Sequence, residues 1–267
     1  MKRTILLLSI LAIFQSCKND EKSNGEKAKK GMVENKSPEV NEQEDSYDLD
    51  IKPISHATAV FNWGKETFYT DPVGGAEAFA NAEKPDFVLI TDIHGDHMNA
   101  ETLQGLELDS IKIIVPQAVK EDLPQDLQAN LIVLANGENY EIDGFHIKAI
   151  PMYNLPQTKD AMHVKGRGNG YLVEKDGFTL YISGDTEDIP EMRNLENIDV
   201  ALVSMNLPYT MTVEDAAAGV LAFQPKKVIP YHYRGKNGLA DIEKFKKIVN
   251  EGNSKIQVEL LDWYPEM

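Results

Sequence analysis

Apolar and polar positions along the chain predict strands interleaved with helices. The run from Phe87 to Thr91 is almost entirely apolar and is typical of a buried strand. Further on, apolar runs at 199–204 and 227–231 flank a segment at 213–223 that has helical spacing. Between 145 and 183, shorter runs separated by turn signals predict antiparallel pairing. Antiparallel strands, strands joined through a helix, and helices between them together predict a layered α/β fold with mixed sheets.

The same pattern predicts the other elements of one folded unit at 51–267. A turn at 63–65 joins two strands at 56–62 and 67–70 into a hairpin. The remaining predicted elements are helices at 100–106, 117–128 and 241–250 and strands at 111–115, 131–134 and 256–261.

The first seventeen residues have the pattern of an export signal. Lys2 and Arg3 precede about ten apolar residues, a run too short to span a bilayer as a helix. Ser16 and Cys17 follow, and this arrangement resembles a bacterial lipoprotein signal, in which a small residue precedes the cysteine that becomes lipidated. The resemblance implies export and a lipid anchor on Cys17 in a bacterial membrane, facing the periplasm or the cell surface. An ordinary signal peptide with an incidental cysteine is the alternative.

Residues 18–50 are nearly devoid of large apolar side chains. Such a segment buries too little surface to offset the entropy cost of ordering, so we expect a disordered polar tether. The alternative is a short arm that packs on the domain, for which only the stretch near Tyr47 and Leu49 has apolar groups. The sequence therefore predicts a signal peptide at 1–17, a tether at 18–50 and a domain at 51–267.

Charge and cysteine content narrow the possible partners and sites. The chain has 27 Lys and Arg residues against 43 Asp and Glu residues, a formal net charge of −16. Removal of residues 1–17 takes away Lys2 and Arg3 and no acid, so the mature chain is still more negative. Negative charge repels phosphate backbones and argues against a nucleic-acid partner. The single cysteine excludes an internal disulfide and any Cys-rich zinc or iron–sulfur site.

Four side chains suited to metal binding occur within six positions directly after the predicted strand at 87–91. They are Asp92, His94, Asp96 and His97. Because no thiolate accompanies them, a metal here would be bound by imidazole and carboxylate, the donor set that suits zinc, manganese or iron. A polar, solvated loop is the alternative, which the density of potential ligands disfavours.

This segment resembles the metal-binding motif of the metallo-β-lactamase superfamily, His-x-His-x-Asp-His after a strand. The resemblance continues in order through residues 51–267 and includes an early Asp that braces the metal loop, a His before a strand, a Gly-Asp-Thr motif and a last His. These positions are Asp71, His163, Asp185 and His232. The resemblance implies a four-layer αββα sandwich with two mixed β-sheets and outer helices. The closest likeness is to the branch that includes L-ascorbate-6-phosphate lactonase and little-characterised metal-dependent hydrolases.

The resemblance implies two sites for divalent metal ions that share the Asp185 carboxylate. The metal is either zinc or one of manganese and iron. The implied ligands of the first site are Asp92, His94 and His163, and those of the second are Asp96, His97 and His232. Asp92 departs from the pattern, which has histidine at this position. An extra carboxylate favours manganese or iron and makes bound water less acidic. We expect the first site to be occupied; the alternatives are a weak or empty site, or a supporting role for Asp92.

Two such metals imply hydrolysis. Ions about 3.5–4 Å apart share a hydroxide and polarise the bond to be cleaved, so no serine or cysteine nucleophile is required. By resemblance, Asp96 orients the hydroxide or takes its proton. His56 is expected near the metals as a supporting or substrate-contacting group, or else as a strand-end histidine bonded to the backbone. Arg167 and Arg234 adjoin ligands and are suited to hold an anionic substrate group, unless each forms an ion pair.

Two functional hypotheses follow. In the first, the protein is a membrane-tethered metal-dependent hydrolase that cleaves a small ester, lactone or phosphodiester outside the cytoplasm. In the second, it is a non-catalytic metal-binding lipoprotein with a degenerate site, because the first histidine of the motif is replaced. A nucleic-acid-processing role is opposed by the negative charge and by export. His146 alternates with Lys148 on a solvated strand face and is given no role.

Overall fold

The computed structural model describes residues 48–265. The predicted signal at 1–17 and the tether up to residue 47 lie outside the described residues. The strands are β1 (Leu49–Ser55), β2 (Thr58–Trp63), β3 (Glu66–Thr70), β4 (Phe87–Leu89), β5 (Lys112–Val115), β6 (Leu131–Val133), β7 (Asn139–Ile142), β8 (Phe145–Met152), β9 (Gly168–Lys175), β10 (Phe178–Ile182), β11 (Val200–Ser204), β12 (Lys227–Tyr231), β13 (Arg234–Gly235), β14 (Gly238–Leu239) and β15 (Gln257–Val258). The helices are α1 (Ala100–Gly105), α2 (Gln117–Asp122), α3 (Pro190–Arg193), α4 (Val213–Phe223) and α5 (Ile242–Gly252), with 3-10 helices at Ala76–Phe79 and Gln125–Asn130. Within residues 48–265, every helix is too short or too polar to cross a bilayer.

The first sheet has six strands in the order β1-β2-β3-β4-β5-β6. Its first three strands are antiparallel neighbours, and from β3 onward the neighbours run parallel. The predicted hairpin forms β2 and β3, and the apolar run at 87–91 forms β4, which is buried throughout. Strand β1 is not predicted from the sequence, because its residues are half-buried or exposed and include Pro53. It begins at Leu49, two residues before the predicted start of the domain.

The second sheet has seven strands in the order β15-β12-β11-β10-β9-β8-β7. Strands β7 to β10 pair antiparallel, and β10, β11, β12 and β15 pair parallel. The predicted antiparallel stretch between 145 and 183 is therefore confirmed, as are the parallel strands on either side of α4. The last strand is shorter than predicted, because only Gln257 and Val258 pair with β12.

The two sheets pack face to face through aromatic side chains. Phe61, Phe68 and Phe87 stack in a row along the first sheet, with ring centroids 4.5 and 4.8 Å apart. Phe145 of the second sheet meets Phe87 edge-on at 5.2 Å, a geometry that aromatic quadrupoles favour. Because side chains alternate along a strand, Val88 packs instead in the cluster on the outer face.

Helices cover the outer faces of both sheets. Helices α1 and α2 pack on the first sheet, and α4 and α5 on the second. Helix α4 has the predicted bounds and begins after Thr212, whose hydroxyl accepts the Asp215 N–H at 3.0 Å. The predicted helix at 117–128 is wrong in length: α2 ends at Asp122, because Pro124 lacks an N–H to continue it. The result is the helix–sheet–sheet–helix layering that the resemblance implies.

Candidate metal centre

The candidate ligands lie at one edge of the sandwich. Asp71 follows β3 and the loop 92–97 follows the parallel neighbour β4. Asp185 follows β10 and His232 follows β12, which run in the same direction through β11. His163 comes just before β9, which is antiparallel to β10. Since the carboxyl ends of parallel strands meet at one edge of a sheet, residues far apart in sequence converge there.

Asp71 is buried and braces the loop after β4. Its carboxylate accepts hydrogen bonds from the N–H and the hydroxyl of Thr91, at 2.7 and 2.6 Å. His97 Nδ1 donates to the same carboxylate at 2.8 Å, so the lone pair of His97 Nε2 faces the other ligands. Asp71 has a left-handed φ of 47°, and the Thr58 hydroxyl donates to its carbonyl oxygen at 2.6 Å. Asp71 thus contacts both the start and the end of the ligand loop, through Thr91 and His97.

We define the second ligand group as Asp96, His97 and His232. His97 Nε2 and His232 Nε2 lie 3.1 Å apart. The Asp185 carboxylate lies 3.4 Å from His97 Nε2 and 3.2 Å from His232 Nε2. Asp96 Oδ2 lies 3.5 Å from His232 Nε2. Ligands bound to zinc at 2.0–2.1 Å in a tetrahedron are separated by roughly 3.3 Å, so this spacing fits a single small cation.

The electrostatic field of the second group favours a cation. Burial would lower the pKa of His97, but the negative charges of Asp185 and Asp71 raise it well above its ordinary value. Burial would raise the pKa of Asp185, but the charges of His232 and His97 hold it well below its ordinary range. A carboxylate this deeply buried requires positive charge around it. A bound divalent metal would meet that requirement.

We define the first ligand group as Asp92, His94 and His163. Their ligand atoms lie within 4.8 Å of one another. His94 Nδ1 is 2.8 Å and His163 Nε2 is 3.6 Å from Asp92 Oδ2. His163 Nε2 is also 3.2 Å from Asp185 Oδ2, so Asp185 lies between the two groups. Asp185 Oδ2 thus lies within 3.4 Å of a histidine nitrogen in each group.

Several buried polar atoms at this edge support a metal. Asp185 Oδ1 and both ring nitrogens of His163 make no hydrogen bond to any group in residues 48–265. An unpartnered buried polar atom costs about 1–3 kcal/mol, and each such atom requires a physical explanation. These imidazole and carboxylate atoms are donors that zinc, manganese and iron accept. The residues present therefore fit a metal at Asp185, where His97 and His232 of the second group lie within 3.4 Å.

His56 lies beside the second ligand group, and it contacts a residue that the sequence does not predict as a partner. His56 Nε2 is 3.1 Å from Asp96 Oδ2, and its ring centroid is 3.9 Å from that of His232. His56 Nδ1 is 2.7 Å from the hydroxyl of Tyr264, near the end of the chain. His56 has a left-handed φ of 58° in the turn between β1 and β2, a strained conformation that recurs at functional sites.

The two candidate arginines differ in position. Arg167 donates from Nε to Asp92 Oδ1 at 3.2 Å and from Nη2 to Asp92 Oδ2 at 2.9 Å, so it forms the ion pair left open as an alternative. Arg234 donates its backbone N–H to the Tyr264 hydroxyl at 3.1 Å, and its guanidinium lies 5.1 Å from the Tyr264 ring centroid. His146 lies in β8 opposite Glu141 and Glu174, away from the ligand loops in the sheet register.

Two asparagines that sequence reasoning did not select hold ligand loops in place. Asn154 Oδ1 accepts the backbone N–H of His163 at 2.7 Å, and its Nδ2 donates to the Tyr209 carbonyl at 2.8 Å. Asn206 Nδ2 lies 3.4 Å from His232 Nε2, and Asn206 Oδ1 accepts the Thr210 hydroxyl at 2.6 Å. Neither asparagine lies in a local sequence pattern that marks it as part of a metal centre.

A cavity of about 220 Å³ adjoins the centre at His163. Its lining includes Asn154, Thr158, Lys159 and Lys165. The two lysines give the cavity positive charge, and Lys165 is also paired with Glu191. A substrate bound here would lie beside the ligand that contacts Asp185.

Comparison with known proteins places the chain in a family. A family model described as Beta-lactamase superfamily domain matches residues 50–232. A UPF0173 metal-dependent hydrolase of Pyrococcus abyssi is 29% identical over 211 residues, which cover 75% of this chain and 92% of that protein. A UPF0173 metal-dependent hydrolase of Thermococcus onnurineus is 31% identical over 200 residues, which cover 70% of this chain and 87% of that protein.

A solved structure from Parabacteroides distasonis, described as that of a metal-dependent hydrolase, agrees with these relatives. It is 35% identical, has a TM-score of 0.70 and covers 79% of this chain and 92% of its own. The family model spans well over half of the chain, and the matched region includes all the candidate ligands. The chain belongs to the metallo-β-lactamase superfamily and is a metal-dependent hydrolase.

Proposed function

We propose that the protein hydrolyses a small anionic ester, lactone or phosphodiester, with water as the nucleophile. The observation that carries this proposal is the convergence of His97, His232 and Asp185, with nitrogen and oxygen atoms 3.1 to 3.4 Å apart, beside a positively charged cavity. A bound divalent metal lowers the pKa of water and polarises the bond under attack. His97 and His232 would hold this metal through Nε2, and Asp185 through its carboxylate.

Asp96 is the residue best placed to orient the attacking water. Its side chain is 39% exposed, in contrast to the buried histidines around it. Burial would raise the pKa of Asp96, but hydrogen bonds from His232 and His56 hold it far below its ordinary value. Asp96 is therefore an ionised acceptor at neutral pH, and it can hold a water O–H in a fixed direction.

The cavity supports the substrate class. Its volume of about 220 Å³ is below the 300–1,000 Å³ of sites for drug-sized ligands, so it suits a small molecule. Lys159 favours a carboxylate or phosphate group on that molecule, whereas the charge of Lys165 is balanced by Glu191. A phosphorylated lactone would also agree with the resemblance to the branch that includes L-ascorbate-6-phosphate lactonase.

A substrate panel tests this proposal. The full-length protein is loaded with Mn²⁺ or Zn²⁺ and assayed against esters, lactones and phosphodiesters, each with and without an anionic group. We expect hydrolysis of anionic members, and we expect Lys159→Met to raise KM for these members and leave neutral ones unchanged. His146→Gln is the matched control outside the centre. Preference for neutral substrates, or no hydrolysis by the metal-loaded protein, would overturn the proposed substrate class.

We further propose that the enzyme is exported and anchored to a bacterial membrane by a lipid on Cys17. The support is the order of basic, apolar and small residues that ends at the only cysteine of the chain. Growth of expressing cells with labelled palmitate should label the wild type and leave Cys17→Ser unlabelled. Processed, unlabelled wild-type protein outside the membrane fraction would instead support an ordinary signal peptide.

A further inference from the structure

Asp92, His94 and Arg167 form a closed ring of contacts in the first ligand group. Arg167 Nη2 donates to Asp92 Oδ2 at 2.9 Å and lies 3.4 Å from His94 Nε2. His94 Nδ1 lies 2.8 Å from the same Asp92 Oδ2. A guanidinium only donates hydrogen bonds, so His94 Nε2 is the acceptor and His94 Nδ1 carries the proton that is donated to Asp92.

The ring engages Asp92 Oδ2 and both ring nitrogens of His94, which are atoms that could otherwise bind a metal. A carboxylate oxygen has about two acceptor positions, and Asp92 Oδ2 fills them with Arg167 and His94. His94 Nδ1 bears a proton in this arrangement and has no lone pair to offer. His163 differs, because its ring nitrogens have no hydrogen-bond partner within residues 48–265, and its Nε2 lies 3.2 Å from the shared carboxylate of Asp185.

The second ligand group is arranged in the opposite way. His97 Nδ1 donates to Asp71, so His97 Nε2 is the ring nitrogen that faces His232 Nε2, at 3.1 Å. Two ring nitrogens repel each other at this distance unless a proton or a metal lies between them. The buried Asp185 carboxylate adds negative charge at the same place. The second group therefore needs a cation.

The first group already contains one. Asp92 is fully buried and Arg167 is 22% exposed, so their ion pair lies where solvent screens it weakly. A divalent ion bound to Asp92 would lie close to the guanidinium and would be repelled by it. Because a guanidinium is a permanent cation in proteins, this repulsion does not depend on pH.

We propose that Arg167 takes the place of a metal ion in the first site, and that the chain holds one tightly bound divalent cation, in the second group. The inference rests on the proposed metal-dependent function and specifies how many ions serve it. Arg167 then neutralises the buried Asp92 carboxylate beside the single metal.

Metal counting tests the inference without an activity assay. Full-length protein in detergent is stripped with chelator, reloaded with Mn²⁺ or Zn²⁺ and desalted, and the metal per chain is measured by elemental analysis. We expect one ion in the wild type and two in Arg167→Met, which opens Asp92 to a metal. Lys165→Met is the control, because it removes a positive charge from the same loop. This charge is paired with Glu191 and not with Asp92, so we expect the variant to retain one ion.

Two tightly bound ions in the wild type, or one ion in folded Arg167→Met, would overturn the inference. If Arg167→Met does not fold, the double variant Asp92→His with Arg167→Met removes both charges of the pair and restores the superfamily motif. We expect two ions in this variant, and one ion would contradict the role of Arg167. A wild type with one ion but no activity on the panel would contradict the proposed substrate class and leave this inference standing.

Discussion

The two ligand groups of the metal centre share one carboxylate and are prepared for different partners. In the second group, Asp71 holds His97 Nδ1, so that His97 Nε2 faces His232 Nε2. In the first group, Arg167 lies against Asp92 and already balances its charge. The comparison teaches that ligand types in a motif do not by themselves make a metal site. Whether a ligand atom can bind a metal depends on the hydrogen bonds and ion pairs that the same side chain makes to its neighbours.

The largest expected effect is that of Asp185→Asn, because Asp185 is the carboxylate common to both groups. Loss of a residue that merely supports a ligand costs about 10–100-fold in metal affinity or activity, so loss of this carboxylate should exceed about 100-fold in kcat. Elemental analysis should show a parallel loss of metal. A variant that keeps its metal and its activity would show that Asp185 does not join the two groups.

Asp71→Asn should act on the second group alone. Asn lacks one of the carboxylate oxygens that accept from Thr91 and His97, so His97 loses its fixed orientation. We expect metal affinity to fall by about 10–100-fold, measured by titration with a competing chelator. Circular dichroism checks that the variant folds. Unchanged affinity in the folded variant would mean that the loop backbone alone orients His97.

Tyr264→Phe tests the contact between Tyr264 and His56, the histidine that lies against Asp96, and should lower kcat less than the changes above. It removes the hydroxyl 2.7 Å from His56 Nδ1, and His56 in turn contacts Asp96. One hydrogen bond contributes about 1 kcal/mol, so we expect kcat to fall by about fivefold with metal content unchanged. Tyr140→Phe, in the edge strand β7, is the matched control. Loss of metal in Tyr264→Phe would indicate that His56 is needed for binding the ion itself.

The smallest effect is expected for His146→Gln. His146 is half-buried in β8 and pairs in register with Glu141 and Glu174. We expect the free energy of unfolding to change by no more than about 0.5 kcal/mol in denaturant titration, with kcat and metal content unchanged. A marked fall in activity would show that the centre extends into the second sheet beyond the ligand loops.

Features that depend on neighbours in sequence were predicted well. The apolar run before Asp92 identified β4, and the ligand-rich loop after it is contiguous in the chain. Helix α4 was predicted at both ends because Thr212 caps it locally. The helix predicted at 117–128 is too long, because the apolar spacing continues past Pro124 although α2 ends at Asp122.

Contacts between distant segments could not be predicted in the same way. Tyr264 reaches His56 across 208 positions, and Arg167 reaches Asp92 across 75. A tyrosine or an arginine has no local pattern that marks it as part of a metal centre. The sequence suits Arg167 to an anionic substrate or to an ion pair, and only the fold brings it to Asp92.

The sequence by itself determined the ligand types, their order along the chain and the layered α/β fold, because these follow from local apolar patterns and from a contiguous motif. The tertiary structure alone decided which lone pairs are available. That property depends on groups such as Asp71 and Arg167, which approach the ligands through the packing of strands from different parts of the chain.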